Sequence, residues 1–447
     1  MNSNFISFFS YEPFLFEYNR KENITVMKGK NMKKRTKKIL TIFLCILLFS
    51  YPSVHADEEE DENVDVTQLW EVVQTSNARV QTEPLINSRS AIVMEPETGE
   101  ILYEKNSQQK RPMASTTKIM TAILVLENGN LKDVVTVSKK AAGTGGSTMG
   151  LKEGDKILLR DLLYGLMLRS GNDAAIQIAE YMAGSVEEFA KQMNQKAEKL
   201  HLTQTHFVTP HGLDQPEHYT TAYELAQLAR YALQNEQFAH IVNSKNITIQ
   251  INGKPKELRN TNELLGALEG VNGVKTGFTN GAGRCLVTSV NRNGKRLITV
   301  VLGADTKKNR TRDSIVLIEY AYQKYQWVDL GERMKEAFLQ WKQEHTIEVK
   351  KGIKENLKEM TAPITTVFYP IAKEEIKNLK TVIAIPETLQ APVQKQEKIG
   401  EILLEGSGKI KERMPIYAEE SIARKDVGYY WKDLWCHMTK YMEEYIR

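Results

Sequence analysis

The order of residue periodicities constrains the fold of this 447-residue chain more than any other feature. Alternating segments at 90–93 and 99–103, joined by the turn Glu95-Pro96-Glu97-Thr98, read as two strands. A block of helical patterns follows. The first runs over 115–126 and stops at Asn128-Gly129; others cover 160–168, 172–183, 186–200 and 221–235. Strand patterns return at 246–252, 285–290 and 297–303, and one more helix occupies about 311–325. Strands at both ends of a helical block imply an α+β domain, residues 85–327, whose sheet joins the two ends of the segment.

After Trp327 the texture changes. Residues 345–420 alternate polar and apolar in short runs punctuated by Gly and Pro, which predicts a small separate β-rich domain. The last stretch, 427–447, returns to helical spacing. Trp431, Leu434, Trp435, Met438, Met442 and Tyr445 share one face, while Lys432, Asp433, Lys440, Glu443, Glu444 and Arg447 lie mostly elsewhere. Such a helix suits a membrane interface. Packing against the protein's own surface is the alternative, and the two glutamates weaken attraction to anionic lipid.

The N-terminus reads as an export signal. Lys33, Lys34, Arg35, Lys37 and Lys38 precede the apolar run 39–49, and Val54-His55-Ala56 resembles a small-residue cleavage site. The run is short for a membrane span. We expect residues 1–56 to be a signal region cut after Ala56, an uncleaved anchor being the alternative. Residues 1–31 do not fit a signal, and Met32 opens a well-formed one, so Met32 is the expected true start. Residues 57–84 then form an acidic lead-in, loose except for one short helix near 67–73.

Composition excludes several classes. Residues 1–56 hold nine of the 60 Lys/Arg and three of the 56 Asp/Glu, leaving 51 basic against 53 acidic residues. That balance argues against nucleic-acid binding, which concentrates basic residues. Only Cys285 and Cys436 follow the signal region. A disulfide-stapled scaffold carries more, and neither cysteine has the neighbours of a catalytic thiol.

Three short motifs then stand in order: Ser115-Thr116-Thr117-Lys118, Ser170-Gly171-Asn172 and Lys275-Thr276-Gly277. Ser115 and Lys118, at i and i+3, share one face at a helix start. Serine is a weak nucleophile until a base takes its proton. Burial, a nearby cation such as Lys275 and the helix N-terminus would all lower the pKa of Lys118 and fit it for that task. The Ser115 N–H could serve an oxyanion. Ser170 could relay a proton to the leaving group, and Asn172 could hold Lys118 or a substrate amide. We expect Lys275-Thr276-Gly277 near a strand start, after a turn at 270–273; Lys275 would add positive field, Thr276 would bond a carboxylate, and Gly277 would let a backbone approach. Each motif alone is weak: Ser107-Gln108-Gln109-Lys110 and Ser244-Lys245-Asn246 also match, but without the apolar or helical context. Taken alone, Ser170-Gly171-Asn172 reads equally well as a helix–helix turn.

The ordered set is that of penicillin-binding proteins and class A β-lactamases. Together with the segments 147–155, Thr205-His206-Phe207 and His211-Gly212-Leu213-Asp214, the chain resembles the low-molecular-mass penicillin-binding proteins, the serine-type D-alanyl-D-alanine carboxypeptidases, closely over about 85–325 and loosely over 345–420. The resemblance implies a serine β-lactamase/DD-peptidase-like domain, an antiparallel sheet with helices, followed by a β-rich stalk and an amphipathic anchor. It implies that Ser115 forms an acyl-enzyme on peptidoglycan pentapeptide stems, that terminal D-Ala leaves, and that water hydrolyses the ester. β-Lactams would acylate the same serine. Phe278 would give a second oxyanion N–H, and Arg310 would help Thr276 bind the terminal carboxylate. No metal or cofactor is implied. The expected location is the outer face of the bacterial cytoplasmic membrane.

Three other readings were weighed. A class A β-lactamase needs a Glu-x-x-Leu-Asn segment after the middle motif, and 172–275 contains none. A zinc peptidase could use His201, His206 and His211, but their spacing matches no common zinc pattern. A penicillin-binding sensor that acylates without turnover shares every motif.

Overall fold

The computed structural model describes residues 64–77 and 83–445. The expected signal region and much of the expected acidic lead-in lie outside the described residues. Along the chain come α1 (Val66–Asn77), β1 (Ser90–Met94) and β2 (Ile101–Lys105), then a 3-10 turn, Ala114–Thr117, that leads into α2 (Lys118–Asn128). Next are β3 (Val134–Thr136), α3 (Lys139–Ala142), β4 (Lys156–Leu158), α4 (Leu159–Leu168), α5 (Asn172–Ala183) and α6 (Val186–Lys199). α7 (Ala222–Ala232), α8 (Glu236–Asn243), β5 (Asn246–Ile251) and β6 (Lys254–Arg259) precede the long strands β7 (Val271–Thr279), β8 (Gly283–Arg292) and β9 (Lys295–Ala304). α9 (Lys307–Lys324) closes this part. Ser185, Thr221, Asn235 and Thr306 cap the helices that follow them by accepting first-turn N–H groups.

The main sheet is antiparallel, in the order β2-β1-β9-β8-β7. β1 pairs with β9 in the register Ser90↔Leu302, Ile92↔Val300 and Met94↔Ile298. The two ends of the domain therefore meet in the sheet, as the order of periodicities requires. Every residue of β1 is buried, because both sheet faces are covered. Ile92 and Met94 point into a core shared with α2, α4 and α5; Ala91 and Val93 point into a second core with α9 and α1. α2 is buried along nearly its whole length, from Lys118 to Val125, as expected of a helix apolar all round. A smaller sheet, β3-β4-β5-β6, flanks the helices, with β6 as an outer strand.

α9 runs into β10 (Tyr325–Asp329) and α10 (Leu330–Glu344). The strands between 347 and 418 then form a β-rich domain with its own core, including Ile347, Leu357, Ile402, Leu404 and Ile416. β10 is shared between the parts: it pairs with the strand Phe368–Ala372. Glu100 adds a polar link, accepting from the Tyr369 hydroxyl and from Lys411 at 2.8 Å. The last helix, α11 (Val427–Tyr445), keeps every described side chain exposed. Among the described residues no helix is long and apolar enough to cross a membrane.

Some elements differ from the sequence expectation. Lys275-Thr276-Gly277 sits in the middle of β7 rather than near its start. The expected turn at 270–273 is partly inside the strand, whose pairing is irregular between Val271 and Gly273; burial of Val271 in the second core carries the strand back that far. The lead-in is less loose than expected, because α1 buries Val66, Leu69 and Val73 against α9. β6, α8 and α10 had no counterpart in the sequence reading.

Candidate active site

Ser115 stands in the 3-10 turn ahead of α2. The turn is locked from inside: the Thr116 hydroxyl donates to the Met113 carbonyl at 2.5 Å, and the Thr117 hydroxyl donates to the Ala114 carbonyl at 2.8 Å. Ala114 holds φ +47°, a left-handed conformation that costs a residue with a Cβ. Lys118 follows one turn later and is 0% exposed. Its Nζ lies 2.8 Å from Ser115 Oγ, 2.8 Å from Asn172 Oδ1 and 2.9 Å from the His211 carbonyl. An ammonium would donate all three hydrogens here. A neutral amine would donate to Asn172 and His211 and accept the Ser115 hydroxyl proton, so the same three partners satisfy both protonation states. Burial, and next the charge of Lys275, hold Lys118 well below the usual lysine pKa; Asp173 opposes them.

The middle motif is a sharp turn between α4 and α5. Ser170 has φ +57° and is 6% exposed. Its hydroxyl makes no hydrogen bond to protein among the described residues. Asn172 opens α5; its Nδ2 donates to the Gly145 carbonyl at 2.9 Å, and its backbone N–H donates to the Ser147 carbonyl at 2.7 Å. The Asp173 carboxylate accepts from the N–H groups of Met149 and Leu151. These bonds fasten the loop 143–151 to the turn that carries Ser170 and Asn172.

The third motif comes from the outer strand of the main sheet. Gly277 lies against the Ser115 turn: a Cβ there would meet the Ser115 nitrogen at 3.1 Å and the Thr116 nitrogen at 3.2 Å. Any larger residue would push β7 away from Ser115. Lys275 is buried, and its Nζ donates to the Thr276 carbonyl at 2.9 Å. The Thr276 hydroxyl meets that of Thr261 at 2.8 Å. Phe278 is half-buried, with the Arg284 guanidinium 3.7 Å from its ring centroid. Arg310 is 0% exposed. It bonds Glu263, and its Nε and Nη1 have no partner among the described residues. Burial alone would raise the Glu263 pKa; Arg310 and the Thr311 hydroxyl outweigh it and lower it.

Buried residues behind the Ser115 turn were not legible as part of the site. Gly212 has φ +89°, and a Cβ there would fall 1.9 Å from the Ala114 carbonyl oxygen, so only glycine fits. His218 Nδ1 accepts from the Val208 N–H at 2.9 Å, and the ring's Nε2 meets Thr117 Oγ1 at 2.7 Å. With Nδ1 an acceptor, the neutral ring donates through Nε2 to Thr117, which donates in turn to Ala114. His211 Nδ1 accepts from the Leu213 N–H at 3.1 Å. Burial, then Lys118 and His218, lower the His211 pKa to about 3; burial, then His206, lowers that of His218 to about 4. Both rings are neutral near pH 7.

The three histidines weighed as zinc ligands stand in separate settings. His201 is exposed beyond the end of α6, His206 Nδ1 lies 2.6 Å from the Glu217 carbonyl, and His211 backs Lys118. Cys285 is buried with its thiol pKa pushed up to about 11 by desolvation, and Cys436 is exposed on α11; both are free. Beyond the predicted residues, the structure brings in Thr117, His211, His218, Thr261 and Glu263. In the sequence Thr117 stands within the first motif without a role, and His211 within His211-Gly212-Leu213-Asp214 and as a possible zinc ligand; His218, Thr261 and Glu263 carry no sequence signal.

Comparison with known proteins agrees with this arrangement. A family model described as D-alanyl-D-alanine carboxypeptidase matches residues 77–306, and one described as the C-terminal domain of penicillin-binding protein 5 matches 342–424. The chain is 34% identical to D-alanyl-D-alanine carboxypeptidase DacF of Bacillus subtilis over 343 residues, 75% of this chain and 86% of that protein. It is 36% identical to DacD of Escherichia coli over 352 residues, 76% and 88% of the two chains. The crystal structure of penicillin binding protein 5 from Haemophilus influenzae superposes with a TM-score of 0.62 at 28% identity, covering 77% of this chain and all of that one.

Proposed function

This chain belongs to the D-alanyl-D-alanine carboxypeptidase family of penicillin-binding serine hydrolases, and we propose that Ser115 is the nucleophile through which it removes terminal D-alanine from peptidoglycan stem peptides. The observation that carries the assignment is the contact between the buried Lys118 amine and Ser115 Oγ, in a site that favours the neutral amine.

The reaction follows from that contact. The Ser115 proton passes to Lys118 Nζ as Oγ attacks the carbonyl of the penultimate D-Ala. The oxyanion is received by the backbone N–H groups of Ser115 and Phe278. Lys118, now an ammonium, keeps Asn172 and His211 as acceptors, so the proton moves without leaving a buried charge unbonded. The Lys118 ammonium gives its proton to the Ser170 hydroxyl as Ser170 passes its own to the departing D-Ala amine, which leaves Lys118 neutral; that hydroxyl, bonded to no protein group among the described residues, is available for the relay. Lys275 and Thr276 hold the terminal carboxylate. Arg310 supports them through the two N–H groups that Glu263 leaves unpartnered. Water then attacks the ester with Lys118 again as base. β-Lactams acylate Ser115 by the first half of the same sequence.

The test is D-alanine release from diacetyl-Lys-D-Ala-D-Ala, beside intact mass after penicillin treatment, for the wild type and Ser115→Ala. Release and adduct that both vanish in the variant support the assignment. An adduct that survives in Ser115→Ala overturns it. An adduct without release in the wild type makes the protein a penicillin-binding sensor.

We also propose that the protein acts at the outer face of the cytoplasmic membrane, with α11 lying in the lipid interface. Its exposed Tyr430, Trp431, Leu434, Trp435, Met438 and Met442 support this. Deleting 427–447 is expected to move the protein to the soluble fraction; retention in the membrane pellet would sink the proposal.

A further inference from the structure

A cavity of about 590 Å³ lies beside the candidate active site, lined by Thr148, Gly150, Arg169, Lys256, Glu257 and Arg259. Its walls continue directly into the site. Arg169 immediately precedes Ser170. Thr261, two residues beyond Arg259, bonds Thr276 through its hydroxyl and the Leu168 carbonyl through its N–H. The opposite wall is the loop that Asn172 and Asp173 fasten. The cavity thus abuts both the Ser170 turn and the edge of β7, the two walls of the proposed cleft.

Its charge is one-sided. Arg169, Lys256 and Arg259 face a single carboxylate, Glu257. Arg169 and Arg259 are exposed, and neither is ion-paired among the described residues. Lys256 donates to the Met149 carbonyl, a neutral partner that leaves its charge uncompensated. Asp173, the nearest carboxylate along the adjoining turn, is taken up by the N–H groups of Met149 and Leu151. Buried Leu258 and Met149 provide an apolar floor. A concave, cationic wall of this kind suits a carboxylate, which arginine can hold through two parallel N–H bonds.

We propose that this cavity is a subsite for a carboxylate carried by the peptide substrate outside its D-alanyl-D-alanine unit. The inference rests on the peptidase function proposed above and names a feature of its substrate: an acidic peptide preferred over its amidated counterpart. The terminal carboxylate is not the one concerned, since every D-alanyl-D-alanine substrate carries it. Continuity with the cleft favours a group on the reacting peptide over a separately bound anion.

The test compares three peptides on the full-length protein: diacetyl-Lys-D-Ala-D-Ala, a Lys-D-Ala-D-Ala peptide extended at its N-terminus by a γ-linked D-glutamate with a free α-carboxylate, and the same extended peptide with that carboxylate amidated. The wild type should show a lower KM for the acid than for the amide, a preference that shrinks as salt rises. Arg169→Gln and Arg259→Gln should each raise the KM of the acid by about two- to fivefold, with kcat unchanged and the other two peptides unaffected. Equal KM values for acid and amide in the wild type overturn the subsite, as do variants that slow all three peptides alike. A wild type that releases D-alanine from none of them overturns the activity and the subsite together, which separates the two failures.

Discussion

Lowering the pH from about 8 to about 5 should destabilise the fold through the two buried histidines behind the Ser115 turn. His211 and His218 are buried and neutral, with pKa values lowered to about 3 and about 4 from 6.5. Their folded pKa values lie below the unfolded one, so the unfolded chain binds more protons between those limits. The stability they contribute is complete above pH 6.5 and is lost as the pH falls toward 4 and then 3. At pH 5 the loss is about 2 kcal/mol for each ring, or about 4 kcal/mol together, by proton linkage. For a catalytic unit of this size that corresponds to a fall of roughly 8–16 °C in Tm. The loss also reaches the site: protonated His218 cannot accept the Val208 N–H, and it links through Thr117 to the Ala114 carbonyl that holds the Ser115 turn. The assay is thermal unfolding by circular dichroism across this range, for the wild type and for His211→Asn/His218→Asn. The readout is the slope with pH, because the variant is expected to be less stable throughout. A wild-type Tm that is flat from pH 8 to 5, or a variant with the wild-type slope, would refute the reasoning.

Gly212→Ala forces a Cβ onto the Ala114 carbonyl at φ +89° and should cost more than about 2 kcal/mol and at least tenfold in penicillin acylation; Gly145→Ala, whose Cβ meets nothing within 4 Å, is the silent control. Asn172→Ala removes one acceptor from Lys118 Nζ and should slow acylation about ten- to hundredfold, read by stopped-flow with a fluorescent penicillin. With the neutral Lys118 amine as the proposed base, the acylation rate of the wild type should climb with pH and level off well below 10.5; in Lys275→Met, which lacks the second cause of the shift, the limb should move upward. Glu263→Gln leaves the buried Arg310 without its anion and should cost about 3–5 kcal/mol by urea unfolding.

What the sequence disclosed and what it hid divide along physical lines. The ends of the domain announced their pairing because strands buried on both faces, such as β1 and β9, are short apolar runs with few other ways to be covered. Ser115, Lys118 and Asn172 were legible because their chemistry is local or marked by type: i and i+3 on one face, and an amide opening a helix. Their meeting was legible only as one of two options, Asn172 holding Lys118 or a substrate amide, because the two residues stand 54 positions apart. His218 carries no local signal; its role depends on which ring nitrogen the Val208 N–H occupies, a fact of tertiary structure. Glu263 was invisible for a similar reason, as nothing local marks a carboxylate destined to pair with a buried arginine 47 positions later. α1 was underestimated because its three buried side chains gain their cover from α9, near the far end of the domain.

The contacts that define the nucleophile also carry a consequence for timing. Thr117 meets His218 across 101 positions, Lys118 meets the His211 carbonyl across 93, and Thr121 meets the Pro210 carbonyl across 89. Contacts of such long sequence separation form late, because the loops they close must first be paid for in entropy. A chain still emerging or only partly folded has the Ser115–Lys118 pair side by side on a nascent helix, yet the pair lies in water, where the lysine keeps its ordinary proton affinity and the serine stays inert. Reactivity toward β-lactams is therefore a property that switches on with the last long-range closures, and the rate at which a refolding sample regains penicillin binding measures the completion of folding rather than its start.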